Sequence, residues 1–346
     1  MESKVKWGVI GSGGIARRRT IPEGIAAASN ARLVAVHDID PSVNGAVARQ
    51  FEARAVGSIQ ELLQSGVDAV YIATPAFRHH EQVIECTRAR KHVLCEKPLG
   101  LNVREAEELK SACASAGVRL GVGFMMRFQS QHRAALELVR EGRIGKPVYC
   151  RAQLSCWYPP IPGAWRQVPE QGGGGSLIDM GGHCIDLLEM FFGPVRRVTC
   201  FINNAVQRYA PEDSAVATLF FESGAMGTVD AFFCIPDEGS KNVLELYGSE
   251  GSILARGTVG QGSQGVMRAH FRPGARGYAA EQIRDPSEGV EIAPAPLNVY
   301  RAEIEEFSQA ILDGRESSIN ADGGVRSQKI LAACYESART GRAVDA

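Results

Sequence analysis

Gly11-Ser12-Gly13-Gly14-Ile15-Ala16 is the most informative stretch of this chain, because of what stands on either side of it. A β-type run from Lys4 to Ile10 leads directly into it, and a helical pattern follows. In a strand–turn–helix setting, G-x-G-x-x-A lets backbone N–H groups and a helix N-terminus approach a pyrophosphate. We therefore predict a dinucleotide site at Gly11, Gly13, Gly14 and Ile15, with a purely structural glycine turn as the alternative.

An acidic residue follows the second predicted strand. The strand runs from Arg32 to Val36, and Asp38 comes just after it, 24 positions beyond Gly14. A carboxylate there binds a ribose 2′-hydroxyl and repels a 2′-phosphate, which favours NAD over NADP. NADP is not excluded, because the arginines at 17–19 could bind a phosphate. A solvated helix face is the alternative for those arginines.

The remaining apolar runs divide the chain into two regions. Up to Gly123, six predicted strands alternate with helices, which predicts an α/β region with a doubly wound parallel sheet. Beyond it, runs between Val148 and Ala255 are joined by short turns, which predicts a large, mostly antiparallel sheet in an α+β region. Residues 257–296 are rich in Gly and Pro and predict irregular strands and loops. We therefore predict a Rossmann dinucleotide-binding domain at 1–124 and a substrate-binding and oligomerisation domain at 125–346.

The composition is that of an ordinary globular protein and favours neither nucleic acid nor an anionic membrane as a partner. The 346 residues include 38 basic and 39 acidic side chains, for a net charge of −1. No apolar run approaches the ~20 residues of a membrane span, and no leader is evident, so we expect a cytoplasmic protein. Nine scattered cysteines without a C-x-x-C pair predict reduced thiols and no metal site.

A second motif lies where the apolar run His92 to Cys95 stops, at Glu96-Lys97-Pro98. This places Lys97 at the carboxyl end of a predicted parallel strand, which is where open α/β sheets bind ligands. Pro98 also restricts the backbone of Lys97 to extended conformations. We predict that Lys97 faces a cleft; a solvated lysine at the end of a strand is the alternative.

A third motif begins with four glycines, 172–175, and continues in a helical pattern that carries Asp179 and His183. Residues four apart share one face of a helix. A carboxylate beside an imidazole orients it and raises its pKa, which suits proton transfer near neutral pH. An ordinary helix acid and a satisfied histidine are the alternative.

With these three motifs in this order, the chain resembles the glucose-fructose oxidoreductase / inositol dehydrogenase (Gfo/Idh/MocA) family over essentially its whole length. Further matches are Thr74-Pro75 and residues 142–147, 247–251 and 303–307. Trp165-Arg166, shortly before the glycines, resembles the sugar ketoreductases similar to 1,5-anhydrofructose reductase. The resemblance implies a Rossmann domain, an open-faced sheet domain through which copies form a homodimer, homotetramer or larger assembly, and a cis Lys97–Pro98 bond.

The resemblance also implies NAD(P)-dependent hydride transfer to or from a secondary hydroxyl or ketone of a pyranose, glycoside or related polyol. Lys97 would donate to the substrate oxygen, His183 would be the acid and base, and Asp179 would orient His183 or bind a neighbouring hydroxyl. The implied cofactor residues, besides those above, are Thr74, Pro75, Glu96 and Lys97. The candidates for substrate binding are Lys97, Arg127, Tyr158, Trp165, Arg166, Asp179 and His183, with core positions as the alternative for Tyr158 and Trp165.

Two departures from the family pattern limit what can be carried over. Ala76 and Phe77 follow Thr74-Pro75 where many members have an asparagine two positions after the proline, and Asp38 replaces the polar and basic residues of NADP-type anhydrofructose reductases. Two other functions stay open. One is a glycoside ring-hydroxyl dehydrogenase that retains NAD and recycles it on another sugar. The other is a non-catalytic NAD-binding sensor, against which the intact Lys97, Asp179 and His183 argue.

Overall fold

The computed structural model describes residues 4–262, 264–272, 280 and 288–346, and these form two sheets with helices around them. The predicted combination of a parallel sheet and a mostly antiparallel sheet is confirmed. The Lys97–Pro98 peptide bond is cis, as the resemblance implied. In the described ranges, no helix combines the length and the hydropathy needed to cross a membrane.

The first sheet has six parallel strands in the order β3-β2-β1-β4-β5-β6. Its helices begin where the sequence supplies a cap: Asp40, Ser58 and Asn102 each accept hydrogen bonds from backbone N–H groups of the first turn. The elements are β1 (Val5–Ile10), β2 (Ala31–His37), α1 (Pro41–Gln50), β3 (Arg54–Ala55), α2 (Ile59–Gln64), β4 (Ala69–Ile72), α3 (His79–Arg88), β5 (His92–Cys95), α4 (Val103–Ala116) and β6 (Leu120–Val122).

The helix after the glycine turn is a π-helix, Ala16–Ile25, and it contains Pro22. Proline has no N–H and clashes with the carbonyl four residues before it, so a wider turn accommodates it better than a regular α-helix. The predicted helix is therefore present, with a different hydrogen-bond pattern.

The second sheet has nine strands in the order β14-β13-β12-β11-β7-β10-β9-β8-β15. All its pairs are antiparallel except β7 with β10, which is parallel. Its strands are β7 (Pro147–Ser155), β8 (Val195–Asn203), β9 (Ser214–Phe221), β10 (Met226–Phe232), β11 (Val243–Gly248), β12 (Gly251–Arg256), β13 (Val266–Phe271), β14 (Val290–Glu291) and β15 (Val344–Asp345). Of the stretch predicted to be irregular, residues 263, 273–279 and 281–287 lie outside the described residues.

Helices cover one face of the second sheet and reach back to the first. They are α5 (Ser130–Arg140), α6 (Pro169–Gly172), α7 (Gly182–Phe192), α8 (Val299–Asp313) and α9 (Ala321–Thr340). Of these, α7 and α9 pack on the second sheet, whereas α8 packs on the π-helix and β1 of the first. The Trp7 indole N–H donates to Ser308 Oγ at 3.1 Å, and its ring lies 5.8 Å from that of Phe307. α9 also packs on α4 and β6 of the first half, so one helix contacts both sheets.

The other face of the second sheet carries apolar side chains and no helix in the described part of the chain. We call this the outer face. Cross-strand pairing puts Phe201 opposite Val216, and Phe220 opposite Met226, so that these side chains share one surface. Phe201 is 80% exposed and the other three are at least 40% exposed. The predicted open-faced sheet is thus present.

Candidate active site

A cleft of about 580 Å3 lies between the carboxyl ends of the parallel strands and the second sheet. Its size is in the range of small-molecule sites. It brings together residues that are far apart in sequence. Lining it are the predicted site residues Gly14, Ile15, Thr74, Glu96, Lys97, Tyr158, Trp165, Arg166, Asp179 and His183.

The glycine turn at one end of the cleft has the geometry of a phosphate cradle. Gly11 donates its N–H to the carbonyl of His37 at 2.8 Å, and its φ is +82°. A Cβ on Gly11 would approach Ala73 and Thr74 to 2.9 Å, so only glycine fits this close approach. Gly14 also has a positive φ and has nothing within 4 Å of its would-be Cβ, so its backbone is open to a ligand. This open, glycine-lined backbone fits a dinucleotide pyrophosphate.

Asp38 closes the same turn from β2. Its carboxylate accepts the N–H of Gly13 at 2.8 Å and the N–H of Asp40 at 3.0 Å. These contacts fix the acid beside the glycines, where a ribose hydroxyl would be bound. The adjacent Ile39 is 95% exposed, although it is a large apolar residue. An apolar surface next to the ribose position fits the flat face of an adenine, and sequence reasoning missed it.

The end of β4 carries Thr74 and Pro75. Thr74 lines the cleft, but its hydroxyl donates to Gln82 at 2.6 Å. Pro75 precedes a single 3-10 turn, Ala76–Arg78, and is not among the residues that line the cleft. The buried ring of His79 contacts the Thr74 carbonyl and the Pro98 carbonyl, each at 2.9 Å. His79 thus ties the ends of two neighbouring strands, so it has a structural role here.

Lys97 and Asp179 form an ion pair across the cleft. The Lys97 ammonium donates to the Asp179 carboxylate at 2.7 Å and to its backbone carbonyl at 2.6 Å. Arg166 Nε donates to the same carboxylate oxygen at 3.1 Å. Burial alone would raise the pKa of Asp179, but Lys97 and Arg166 outweigh it and hold that pKa well below its usual range. Asp179 is therefore a carboxylate with two cationic partners.

His183 lies next to this ion pair and is 7% exposed. Its Nδ1 is buried and has no hydrogen-bond partner among the described residues. Burial, with the charge of Lys97, lowers its pKa to about 3, although the charge of Asp179 acts in the opposite direction. Asp179 therefore acts on the pKa of His183 in the predicted direction, but burial and Lys97 outweigh it, so the pKa is not near neutrality. That Asp179 orients His183 or binds a neighbouring hydroxyl stays a prediction.

An aromatic and cationic wall faces Lys97. The Arg166 guanidinium lies 4.2 Å from the centre of the Trp165 ring, and the Tyr158 ring packs 4.9 Å from that of Phe233. These predicted substrate residues do line the cleft. Arg127 does not: its guanidinium donates to Asp186 at 2.6 to 3.0 Å and to the Ser318 carbonyl at 3.1 Å. A contact of Arg127 with substrate stays a prediction, since a buried carboxylate holds its guanidinium and Arg127 is not among the residues that line the cleft.

Glu96 lines the cleft but faces a buried hydroxyl network. Its carboxylate accepts the Tyr71 hydroxyl at 2.5 Å, and that hydroxyl lies 2.9 Å from Thr20 Oγ1. Burial raises the pKa of Glu96, against the opposing effects of Tyr71 and Lys97. A contact between Glu96 and a nucleotide stays a prediction.

Glu212, which sequence reasoning missed, holds the glycine run that leads to Asp179. Its carboxylate accepts the N–H groups of Gly175 and Leu177 at 3.0 Å and the Tyr335 hydroxyl at 2.9 Å. A Cβ on Gly175 would overlap the Glu212 carbonyl, which explains the need for glycine there. The glycines therefore serve close packing against the loop before β9.

Other cleft residues also escaped the sequence analysis, since no motif marks them. Among them are Met125, Met126, Gly260, Gln261 and Tyr300. Arg18, one of the three arginines considered for a phosphate, lines the cleft as well. Within the described ranges, no group of three or more His, Cys, Asp or Glu side chains is placed to hold a metal ion.

Known families match both halves of the chain. Residues 5–124 match the oxidoreductase family with an NAD-binding Rossmann fold, and residues 132–254 match the GFO/IDH/MocA C-terminal domain. The 1,5-anhydro-D-fructose reductase of Ensifer adhaerens is 29% identical over 345 residues, which cover 98% of each chain. The trans-1,2-dihydrobenzene-1,2-diol dehydrogenase of Mus musculus is 30% identical over 251 residues, which cover 71% of this chain and 73% of that one.

Among solved structures, the aldose-aldose oxidoreductase of Caulobacter crescentus, complexed with glycerol, superposes with a TM-score of 0.88 at 26% identity. The match covers 99% of this chain and 100% of that one. Fold, motifs and both family matches agree that this chain belongs to the GFO/IDH/MocA family of oxidoreductases, with an NAD-binding Rossmann domain.

Proposed function

We propose that this protein is an NAD-dependent dehydrogenase or ketoreductase that acts on a secondary hydroxyl or ketone of a pyranose, glycoside or related polyol. The observation that carries the proposal is the Lys97–Asp179 ion pair at 2.7 Å, with His183 beside it, in a cleft that begins at the glycine turn. A sugar or polyol is supported by the aromatic and cationic wall and by relatives named for such substrates.

The cofactor would be held by the glycine turn and by Asp38. A bound nicotinamide supplies the uptake or release of a hydride. The Asp38 carboxylate favours NAD over NADP, because it would repel a 2′-phosphate.

Lys97 is the group that we place at the reacting oxygen. Its ammonium is held by two contacts with Asp179, so a positive charge is fixed in the cleft before a substrate arrives. Negative charge that develops on the substrate oxygen would meet this preorganised cation. Removal of one such donor typically lowers kcat by roughly 10²–10³-fold.

His183 is the group that we place at the hydroxyl proton. Because Nδ1 is buried, Nε2 is the nitrogen that a substrate can reach, and the low pKa keeps the ring uncharged at neutral pH. In the tautomer protonated on Nδ1, Nε2 accepts the hydroxyl proton during oxidation and returns it during reduction. With a pKa of about 3, His183 should produce no limb near pH 6.5 in the pH profile of kcat/KM.

The experiment is incubation of the purified protein with NAD or NADP against a panel of pyranoses, glycosides and inositols. Both reduced cofactor and keto-sugar are measured. Lys97→Met should lower kcat by roughly 10²–10³-fold, whereas Lys146→Met, which changes an exposed lysine outside the cleft, should leave it unchanged. If the protein binds cofactor but produces neither reduced cofactor nor keto-sugar, the result would favour a non-catalytic sensor and refute the proposal.

A second candidate is a dehydrogenase that retains NAD and recycles it between two sugars. It is favoured by the relative of known structure that is named an aldose-aldose oxidoreductase. In that case NAD should co-purify with the protein, and keto-sugar should form without accumulation of reduced cofactor.

We also propose that copies of the chain associate through the outer face, since Phe201, Val216, Phe220 and Met226 leave an apolar surface in water. A homodimer or homotetramer would bury it. The division into domains at 124 and 125 stays a prediction, supported by the end of β6 at Val122. A cytoplasmic location is supported by nine free cysteines, which suit a reducing compartment.

A further inference from the structure

The second sheet contributes a segment to the cleft opposite the glycine turn. We call residues 257–261, which follow β12, the clasp. Gly260 and Gln261 at its tip line the cleft together with Gly14, Ile15 and Arg18. A nucleotide on the glycine turn would therefore have the tip of the clasp as the facing wall.

Arg19 fastens this tip to the Rossmann domain. Its Nη2 donates to the backbone carbonyl of Gln261 at 2.7 Å, while its Nη1 pairs with Glu23 at 2.7 Å. Glu23 in turn accepts the side-chain amide of Asn298 at 2.7 Å, and the Arg19 guanidinium lies 5.4 Å from the centre of the Tyr300 ring. The guanidinium is thus oriented from the Rossmann side before it reaches the clasp.

The base of the clasp is buried, whereas its tip is half-buried at Gly260 and exposed at Gln261. Thr258 and Val259 are buried, and the Thr258 hydroxyl lies 3.1 Å from His132 Nε2. Gly260 at the tip, by contrast, has a positive φ, and a Cβ there would meet nothing within 4 Å. Opening of the tip would involve rotation at Gly260 and loss of the Arg19 contact.

These contacts also separate the three arginines that the sequence left together. Arg17 is exposed, Arg18 lines the cleft, and Arg19 binds the clasp. The run is therefore neither one phosphate site nor one solvated face.

We propose that the clasp, fastened by Arg19, is the gate through which NAD leaves, and that the Arg19–Gln261 contact sets the rate of cofactor release. The proposal rests on the cofactor site of the proposed function, but not on its substrate. The strength of the Arg19–Gln261 contact would then influence whether NAD exchanges at each turnover or stays bound.

The test is the dissociation rate of NADH, measured by stopped-flow fluorescence when excess NAD displaces it from the protein. Arg19→Ala should raise the rate about threefold to tenfold, as expected for loss of one exposed, charge-assisted hydrogen bond. Arg19→Lys, which keeps the charge beside Glu23, should raise it less. Arg17→Ala is the matched control and should leave the rate unchanged.

Hydrogen exchange of residues 257–261 provides a readout that needs no cofactor. Exchange there should be faster in Arg19→Ala than in the unchanged protein, and Arg19→Lys carries the test if the alanine variant does not fold. The proposal would be overturned if the dissociation rate of NADH rises less than about twofold in Arg19→Ala, or if it rises by the same factor in Arg17→Ala. Failure of the unchanged protein to bind NADH would instead overturn the cofactor site itself.

Discussion

Acidification from pH 7 to pH 5 should destabilise this protein through buried histidines, among them His183 and His132. The pKa of His183 is lowered to about 3 and that of His132 to about 4, in both cases mainly by burial. In the unfolded chain both titrate near 6.5. Between these values the unfolded state binds more protons than the folded state, so stability falls as the pH falls through 6.5. Linkage gives a loss of about 2 kcal/mol for each histidine between pH 7 and pH 5.

The variant His183→Asn removes one of these titrating rings. Its free energy of unfolding, measured with urea at both pH values, should fall by about 2 kcal/mol less than that of the unchanged protein. His132→Asn should show a saving of similar size, because its ring is equally buried. Histidine Cε1 chemical shifts would report the pKa of His183 directly, and Lys97→Met should raise it. Equal pH dependence in variant and unchanged protein, or a measured pKa above about 5, would refute the reasoning.

Three other changes test the site and the assembly. Asp38→Ser should weaken NAD binding by about tenfold and improve NADP binding, as seen in fluorescence titrations; an unchanged preference would contradict the role of Asp38. Glu212→Ala should cost about 3 kcal/mol in urea unfolding, because two N–H groups and a hydroxyl lose their acceptor, whereas Glu212→Gln should cost less; equal losses would speak against these contacts. Phe201→Asp should shift sedimentation toward the monomer, and no shift would argue against the outer face as the interface.

Short-range patterns predicted most of the Rossmann half. The glycine turn, Asp38 and the Lys97 strand end lie on elements whose order follows from the alternation of strands and helices. The ends of parallel strands meet at one edge, so local motifs were enough to place Gly14, Ile15 and Lys97 in one cleft, with Asp38 hydrogen-bonded to the same glycine turn. The four-residue spacing of Asp179 and His183 likewise put both side chains in that cleft.

The electrostatics of the site could not be predicted in the same way, since they depend on partners distant in sequence. Asp179 is paired with Lys97, 82 residues earlier, and burial outweighs the effect of its charge on the pKa of His183. Arg127 is withdrawn from the cleft by Asp186, and no local pattern links the two. Burial, which dominates the pKa of His183, is likewise a property of the packed domains.

Contacts made through backbone carbonyls could not be predicted from the sequence either. The Arg19–Gln261 hydrogen bond uses an oxygen that every residue possesses, so the type of residue at 261 carries no signal for it. Glu212 was missed for a related reason. Its carboxylate meets the backbone N–H groups that donate to it only after the loop before β9 folds against the glycine run.

The position of β7 at the centre of the second sheet has a consequence for biosynthesis. β7 is synthesised before both of its partner strands, β10 and β11. Tyr149 therefore cannot pair until Met226 on one side and Tyr247 on the other have been translated. All Rossmann strand pairs except β1 with β4 join strands much closer in sequence, and the six strands precede β7, so that half can mature while the chain is still being translated. An unpaired apolar strand is a target for aggregation during this interval. Expression yield should therefore depend on chaperones that protect the nascent second sheet, more than on the final stability of the protein.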